Sequence, residues 1–260
     1  MQRHEVVGPL AANLSHALIA LDFDGTLAPI VRDPAASRPT AGAVDTLIAM
    51  ARAGAQIAVI TGRDAATALD LGGFAAIPGV VVAGLYGAES WHAGELDSPG
   101  QPQVIDELRA ELPGAIADVD HDIWIEDKRL SLVVHARRAA HPEAAIEAVR
   151  PAVEALAARL GLETHDGKGV LEVRLPGYDK GAVLRELVAR FEPSVVLFAG
   201  DDLGDVPAFE AIRVMRGKGL LAFGVAVAGG SENPEAVEAA DLRVNDPAEF
   251  VDLLGDIART

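Results

Sequence analysis

With 260 residues, half of them apolar and 23% charged, the chain is long enough for one large core or two smaller ones, which excludes a minimal module or a disordered tract. A formal net charge of -17 argues against non-specific nucleic-acid and anionic-membrane binding, where basic patches supply the affinity. The absence of cysteine excludes disulfides, a thiolate nucleophile and any Cys-ligated metal.

From the N-terminus, residues 1–15 lack a continuous apolar run, so no signal peptide is expected. The longest apolar stretch, Leu220–Ala228, is far short of a membrane span, and the expected location is the cytoplasm. The first predicted strand is Ala17–Phe23, which runs into Asp22-Phe23-Asp24-Gly25-Thr26. Two carboxylates two residues apart at a strand end repel each other unless a cation or a shared proton compensates. Ligands of open α/β sheets bind at such strand ends. A helical pattern over Ala41–Ala53 leads to a second strand, Gln56–Ile60, followed by Thr61-Gly62-Arg63-Asp64. There a hydroxyl and a glycine N–H can hold a phosphoryl oxygen, although Thr-Gly alone is equally a turn. A third run, Val80–Ala83, completes the first part of the pattern.

The middle of the chain changes character. A helix over Val104–Leu112 precedes strands at Ile123–Ile125 and Leu130–His135, joined at Asp127-Lys128. An Ala-rich helix over Pro142–Leu160 follows, with Pro just inside its start. Strands at Glu163–His165 and Val170–Leu175 then flank Asp166-Gly167-Lys168-Gly169, a predicted hairpin turn. This αββαββ order is an α+β unit inserted into an α/β one, with Gly/Pro-rich edges at Ser98–Pro102 and Pro176-Gly177. The expected division is a core over 1–100 and 177–260 around an inserted domain over 101–176.

The second part of the core opens at Asp179-Lys180-Gly181, before a helix over Gly181–Phe191. A cation at a helix N-terminus opposes the macrodipole, so Lys180 is better explained by an anion beside it. The strand Val195–Ala199 then enters Gly200-Asp201-Asp202-Leu203-Gly204-Asp205, and Leu220–Val227 supplies a last strand. Three carboxylates in five residues suit Mg²⁺, a hard cation that takes oxygen ligands. As an isolated loop, a solvated turn fits as well. Continuous apolar strands alternating with helices imply a doubly wound parallel sheet.

A carboxylate nucleophile, a neighbouring acid/base, a hydroxyl, a lysine and an acidic loop, in this order, resemble the haloacid dehalogenase (HAD) superfamily of phosphohydrolases. The resemblance implies a HAD-like doubly wound core with an inserted α+β (αββαββ) cap domain. It implies Asp22 as nucleophile, Asp24 as general acid/base, and Thr61 and Lys180 as phosphoryl-holding groups. Mg²⁺ is the implied cofactor, with Asp22, Asp24, Asp201 and Asp202 as the metal set.

The segments Asp22–Ile30, Thr61-Gly62-Arg63, Gly84–Glu89, Glu126-Asp127-Lys128, Lys168–Arg174 with Asp179-Lys180-Gly181, and Gly200–Asp205 are similar to the trehalose-6-phosphate phosphatases. That narrower resemblance implies Gly62, Arg63, Glu89, Glu126, Lys128 and Glu172 as substrate-binding residues. It implies a small-molecule sugar phosphate as substrate, a functional link to a trehalose-phosphate synthase, and a cap that closes to exclude water. The chain departs from the family pattern at Tyr86, usually histidine, at Gly204, usually threonine, and at Val206, often glutamate. His135-Ala136-Arg137 also lacks the aromatic residue common between its outer two. The catalytic set is untouched, so these departures leave open a phosphatase for a sucrose or mannosyl phosphate; a catalytically silent sugar-phosphate-binding subunit is a separate alternative, which the intact catalytic set disfavours.

Overall fold

Apolar runs without polar alternation become strands covered on both faces, since a two-sided burial leaves no polar side. The computed structural model of the chain describes residues 1–98, 100, 102–117, 122–167, 169–228 and 234–259. In chain order its first elements are α1 (Arg3–Ala12), β1 (Ala17–Leu21), α2 (Ala43–Arg52), β2 (Gln56–Ile60), α3 (Ala65–Gly72), β3 (Val81–Gly84), β4 (Glu89–His92) and β5 (Glu95–Asp97). Next come α4 (Gln103–Ala115), β6 (Trp124–Asp127), β7 (Ser131–His135), α5 (Pro142–Leu160), β8 (Glu163–Gly167) and β9 (Val170–Arg174). The last are α6 (Lys180–Phe191), β10 (Val195–Gly200), α7 (Val206–Gly217), β11 (Leu221–Val227), α8 (Pro234–Ala239), β12 (Leu242–Val244) and α9 (Pro247–Arg259). They form two compact units, Met1–Ser98 with Tyr178–Thr260, and Pro99–Gly177.

The first unit is a doubly wound α/β layer structure. Its eight-stranded sheet has the order β12-β11-β10-β1-β2-β3-β4-β5, parallel from β12 to β3. Strand side chains alternate between two cores. Ile19, Leu21, Ile57, Val59 and Leu197 pack with α1, α2, α3 and α9 on one face. Leu18, Ala20, Ile60, Val196 and Phe198 pack with α6 and α7 on the other. The topology reverses at β1, where β10 lies on one side and β2 on the other, and this switch point is where open α/β sheets form their sites. The short antiparallel strands β4 and β5 extend the sheet beyond the elements expected from sequence.

The second unit has the expected αββαββ order and a four-stranded antiparallel sheet, β6-β7-β9-β8. Leu132, Val134, Leu171 and Val173 turn one face toward Ile105, Leu108, Ile146 and Val149 of α4 and α5, all buried. Lys168, in the predicted hairpin turn and in one of the family-like segments, lies outside the described residues, as do 99 and 101 at the predicted domain edge. Among the described residues no helix is long and apolar enough to cross a membrane.

Candidate active site

Asp22 follows β1 directly, and its N–H donates to the carbonyl of Ala199 on β10 at 2.9 Å. The ladder therefore continues one residue past the strand and fixes the Asp22 backbone at the sheet edge. Thr61 is held alike, its N–H donating to the carbonyl of Ala83 at 2.9 Å. Between Asp22 and α2 the chain doubles back through Gly25, where φ is +88° and a Cβ would stand 2.1 Å from Asp201 Oδ2. Only glycine fits that turn without moving the carboxylate.

Lys180 joins the two acidic segments. It opens α6, where the side chain of Asp179 caps the helix by accepting from Ala182 N–H at 2.7 Å. Lys180 Nζ lies 2.9 Å from Asp22 Oδ1 and 2.7 Å from Asp205 Oδ1, and the lysine is only 2% exposed. The other oxygen of Asp205 accepts the backbone N–H groups of Asp201 and Asp202 at 2.8 and 3.0 Å, folding the acidic loop back on itself. Thr26 Oγ1 donates to Asp201 Oδ1 at 3.2 Å.

Asp22, Asp201 and Asp205 are all buried, and one carboxylate oxygen from each lies within 4.8 Å of the others. Burial pushes the Asp22 carboxyl up to about 8; Lys180 opposes the shift, while Asp201 and Asp202 add to it. Burial likewise pushes Asp201 up to about 8, aided by Asp205 and Asp202, and raises Asp205 well above the carboxylate range. Burial alone would lower the lysine, but Asp205 and Asp22 outweigh it, and Lys180 is raised well above its ordinary value. One lysine cannot neutralise three ionised carboxylates, so near neutral pH the cluster must hold protons or a cation. The donors are carboxylates, without histidine or cysteine, and this suits a hard divalent ion such as Mg²⁺.

The remaining predicted residues of this unit surround the cluster. Asp24 is half-buried and stands outside the triplet: Arg63 Nε and Nη2 grip its oxygens at 2.5 and 2.8 Å, and Ser37 Oγ donates to Oδ1 at 2.8 Å. Arg63 N–H in turn donates to Thr61 Oγ1 at 3.2 Å, tying the Thr61-Gly62-Arg63 loop to the acid/base candidate. Asp202 is exposed, and its Oδ1 accepts from Gly204 N–H at 2.9 Å, so it shapes the loop from outside the triplet. Glu89 is buried, with Oε2 accepting the first N–H of α3, from Ala65, at 2.9 Å and Oε1 accepting from Ser98 Oγ at 3.1 Å. That places it under the start of α3 rather than in the carboxylate cluster.

In the second unit, strand register aligns Glu126, Val133, Glu172 and His165 in one row across the sheet face opposite the helices. His135 Nε2 and Glu126 Oε2 are 2.8 Å apart, and this contact lowers the Glu126 carboxyl. Glu172 is buried and accepts from Ser131 Oγ at 2.6 Å. Lys128 lies just past β6, its N–H donating to the Ser131 carbonyl at 2.9 Å. A polar row on a sheet face is a set of fixed hydrogen-bonding groups suited to hydroxyl-rich ligands.

Asp205, Thr26 and Ser37 are absent from the sequence-derived site. For Asp205 the signal was present: a carboxylate four residues after Asp201, in a chain where Lys180 needs an anion. Ser37 gave none, because it lies thirteen positions along the chain from Asp24.

The trehalose-phosphatase family model matches residues 20–243. The chain is 32% identical over 252 residues to a trehalose-phosphate phosphatase of Mycobacterium marinum, covering 92% of this chain and 61% of that protein. It thus spans about three fifths of the length of that curated relative. Among solved structures, a trehalose-6-phosphate phosphatase related protein superposes with a TM-score of 0.70 at 25% identity, covering 93% of this chain and 96% of that one. The C-terminal domain of the Candida albicans trehalose-6-phosphate phosphatase gives a TM-score of 0.79 at 23% identity, over 99% and 97% of the two chains, and shares the fold. On the extent of the family match, the chain belongs to the trehalose-phosphatase family.

Proposed function

We propose that this chain is a Mg²⁺-dependent phosphatase that hydrolyses trehalose 6-phosphate through a phospho-aspartate at Asp22. The observation that carries the reading is the buried cluster at the switch point, where Lys180 bridges Asp22 and Asp205 beside Asp201. Asp22, Asp201 and Asp205 would hold Mg²⁺, with Asp24 and Asp202 flanking them. Bound there, the ion supplies charge neutralisation for a transferring phosphoryl group.

The chain's own groups do the rest. An Asp22 carboxylate oxygen forms the bond to phosphorus as the ester P–O bond breaks, and protonated Asp24 gives its proton to the leaving sugar oxygen. Asp24 then takes a proton from water, whose oxygen attacks phosphorus and frees phosphate and the Asp22 carboxylate. For this, Asp24 must exchange its hold on Arg63 for the substrate. Thr61 Oγ1 and Gly62 N–H hold phosphoryl oxygens, Lys180 fixes the nucleophile, and Arg63, released from Asp24, binds the substrate. Glu126, Lys128 and Glu172 are proposed to bind the sugar hydroxyls; Glu89 supports the Thr61–Ala65 segment. The proposed partners are the small-molecule substrate and, functionally, a trehalose-phosphate synthase that must supply it, and the proposed location is the cytoplasm.

The test is phosphate release with Mg²⁺ from trehalose 6-phosphate, sucrose 6-phosphate, glucose 6-phosphate and p-nitrophenyl phosphate, with Asp22→Asn as control. Preference for trehalose 6-phosphate, lost in the variant and with chelator, is expected. Preference for another ester would overturn the substrate, and full activity in Asp22→Asn would overturn the mechanism.

A further inference from the structure

Beside the phosphate loop the backbone is strained in a way the mechanism above leaves unused. Leu85, Tyr86 and Gly87 have φ of 49°, 59° and 101°, three successive left-handed residues of which two carry side chains. A left-handed backbone is costly for any residue that carries a Cβ, and it persists where surrounding structure enforces it. The enforcing contacts are visible. Leu85 N–H donates to the Arg63 carbonyl at 2.8 Å, and Tyr86 N–H donates to the Thr61 carbonyl at 3.0 Å. The turn is thus fastened to the loop that carries Thr61 and Gly62.

The strain delivers the phenol to a particular place. A Cβ built on Gly62 would lie 2.9 Å from both Cζ and Oη of Tyr86, so the oxygen-bearing tip rests against the Gly62 backbone. A Cβ on Gly204, in the acidic loop, would lie 3.6 Å from Tyr86 Cε1. Both glycines leave room for the ring, and both belong to loops at the ends of strands β2 and β10. Tyr86 is half-buried rather than part of either apolar core.

We propose that Tyr86 is a further substrate-positioning residue, its hydroxyl donating a hydrogen bond to a non-bridging oxygen of the phosphoryl group held at Thr61-Gly62. The assignment rests on the phosphatase reading and deepens it. It predicts a contact shared by every phosphate ester, because the phenol tip lies against the loop that holds phosphate.

Tyr86→Phe keeps the ring and removes only the oxygen. A hydrogen bond to a charged acceptor such as a phosphoryl oxygen corresponds to about a 10- to 150-fold effect. That loss in kcat/KM is expected for trehalose 6-phosphate and p-nitrophenyl phosphate alike, with an unchanged melting temperature. Calorimetric binding of inorganic phosphate in the presence of Mg²⁺ is expected to weaken by the same factor. Unchanged kinetics on both esters would overturn the proposal and leave the phosphatase reading standing. A loss confined to trehalose 6-phosphate would move the contact to the sugar and also overturn it. Should the wild-type chain hydrolyse neither ester, the phosphatase reading fails on its own, and phosphate binding still decides. Weaker binding by the variant supports the Tyr86 contact; equal binding, or none by either protein, refutes it.

Discussion

Replacing Lys180 with Met keeps an unbranched side chain, one atom shorter, and removes the cation from the middle of the carboxylate cluster. The lysine lies 2.9 Å from Asp22 and 2.7 Å from Asp205, so at an effective dielectric of about 20 each contact is worth a gross attraction of about 6 kcal/mol. Part of this is offset by the cost of taking the ammonium out of water, and breaking a buried pair by deleting one partner costs about 3–5 kcal/mol net. For a protein of this size that corresponds to a fall of roughly 5–10 °C in melting temperature. The pH dependence gives a sharper signature. Asp22 and Asp201 bind their protons more tightly folded, with values near 8, than unfolded, near 3.8. Between those limits the unfolded chain releases protons that the folded chain keeps, so metal-free stability falls as pH rises from about 4 through about 8. Without Lys180 the carboxyls hold their protons still more tightly, and the fall extends to higher pH.

The assay is thermal unfolding in chelator from pH 5 to 9, repeated with Mg²⁺. The variant is expected to lose most at the alkaline end, to approach wild type near pH 5, and to gain more than wild type from Mg²⁺. Asp22→Asn, which removes a buried charge, is expected to melt higher than wild type in chelator at pH 8 although it is inactive. A Lys180→Met protein that melts within 2 °C of wild type at every pH would refute the claim that this lysine neutralises the cluster.

Two more substitutions separate the roles of the two units. Gly25→Ala places a Cβ 2.1 Å from Asp201 Oδ2 on a backbone with φ +88°, so a loss of about 10-fold or more in kcat and a higher Mg²⁺ requirement are expected, measured by metal titration of the initial rate. Wild-type metal dependence in that variant would remove Asp201 from the proposed metal set. Glu172→Gln retains an acceptor for Ser131 and removes the charge; a rise of about 10-fold in KM for trehalose 6-phosphate with p-nitrophenyl phosphate unaffected is expected. Equal losses on both esters would make Glu172 a structural group.

The central strands were legible because their signal is local: five or six apolar residues in a row need cover on both faces wherever they fall. Strands β5 and β12 were not, since Glu95–Asp97 is exposed and Leu242–Val244 is only partly buried, leaving no apolar run to read. Asp22, Thr61 and Lys180 were legible as polar residues standing directly after strands or at a helix start. The pairing of Arg63 with Asp24 was not, because it joins residues 39 apart that meet only when β1 and β2 lie side by side. What Asp22 and Lys180 share is a violation of a local rule. Lysine at a helix start opposes the macrodipole, and clustered acids at strand ends oppose one another. Each violation is costly alone, and the fold places them where the cost of one is met by another: the misplaced cation sits between two of the crowded anions. Tyr86 has the same character, a strained residue against the Thr61-Gly62 loop, and the sequence marked it only as a departure from the family pattern because φ leaves no mark in composition. Local inconsistency in sequence and local strain in structure therefore point to one region, the strand ends of the first unit, by independent routes.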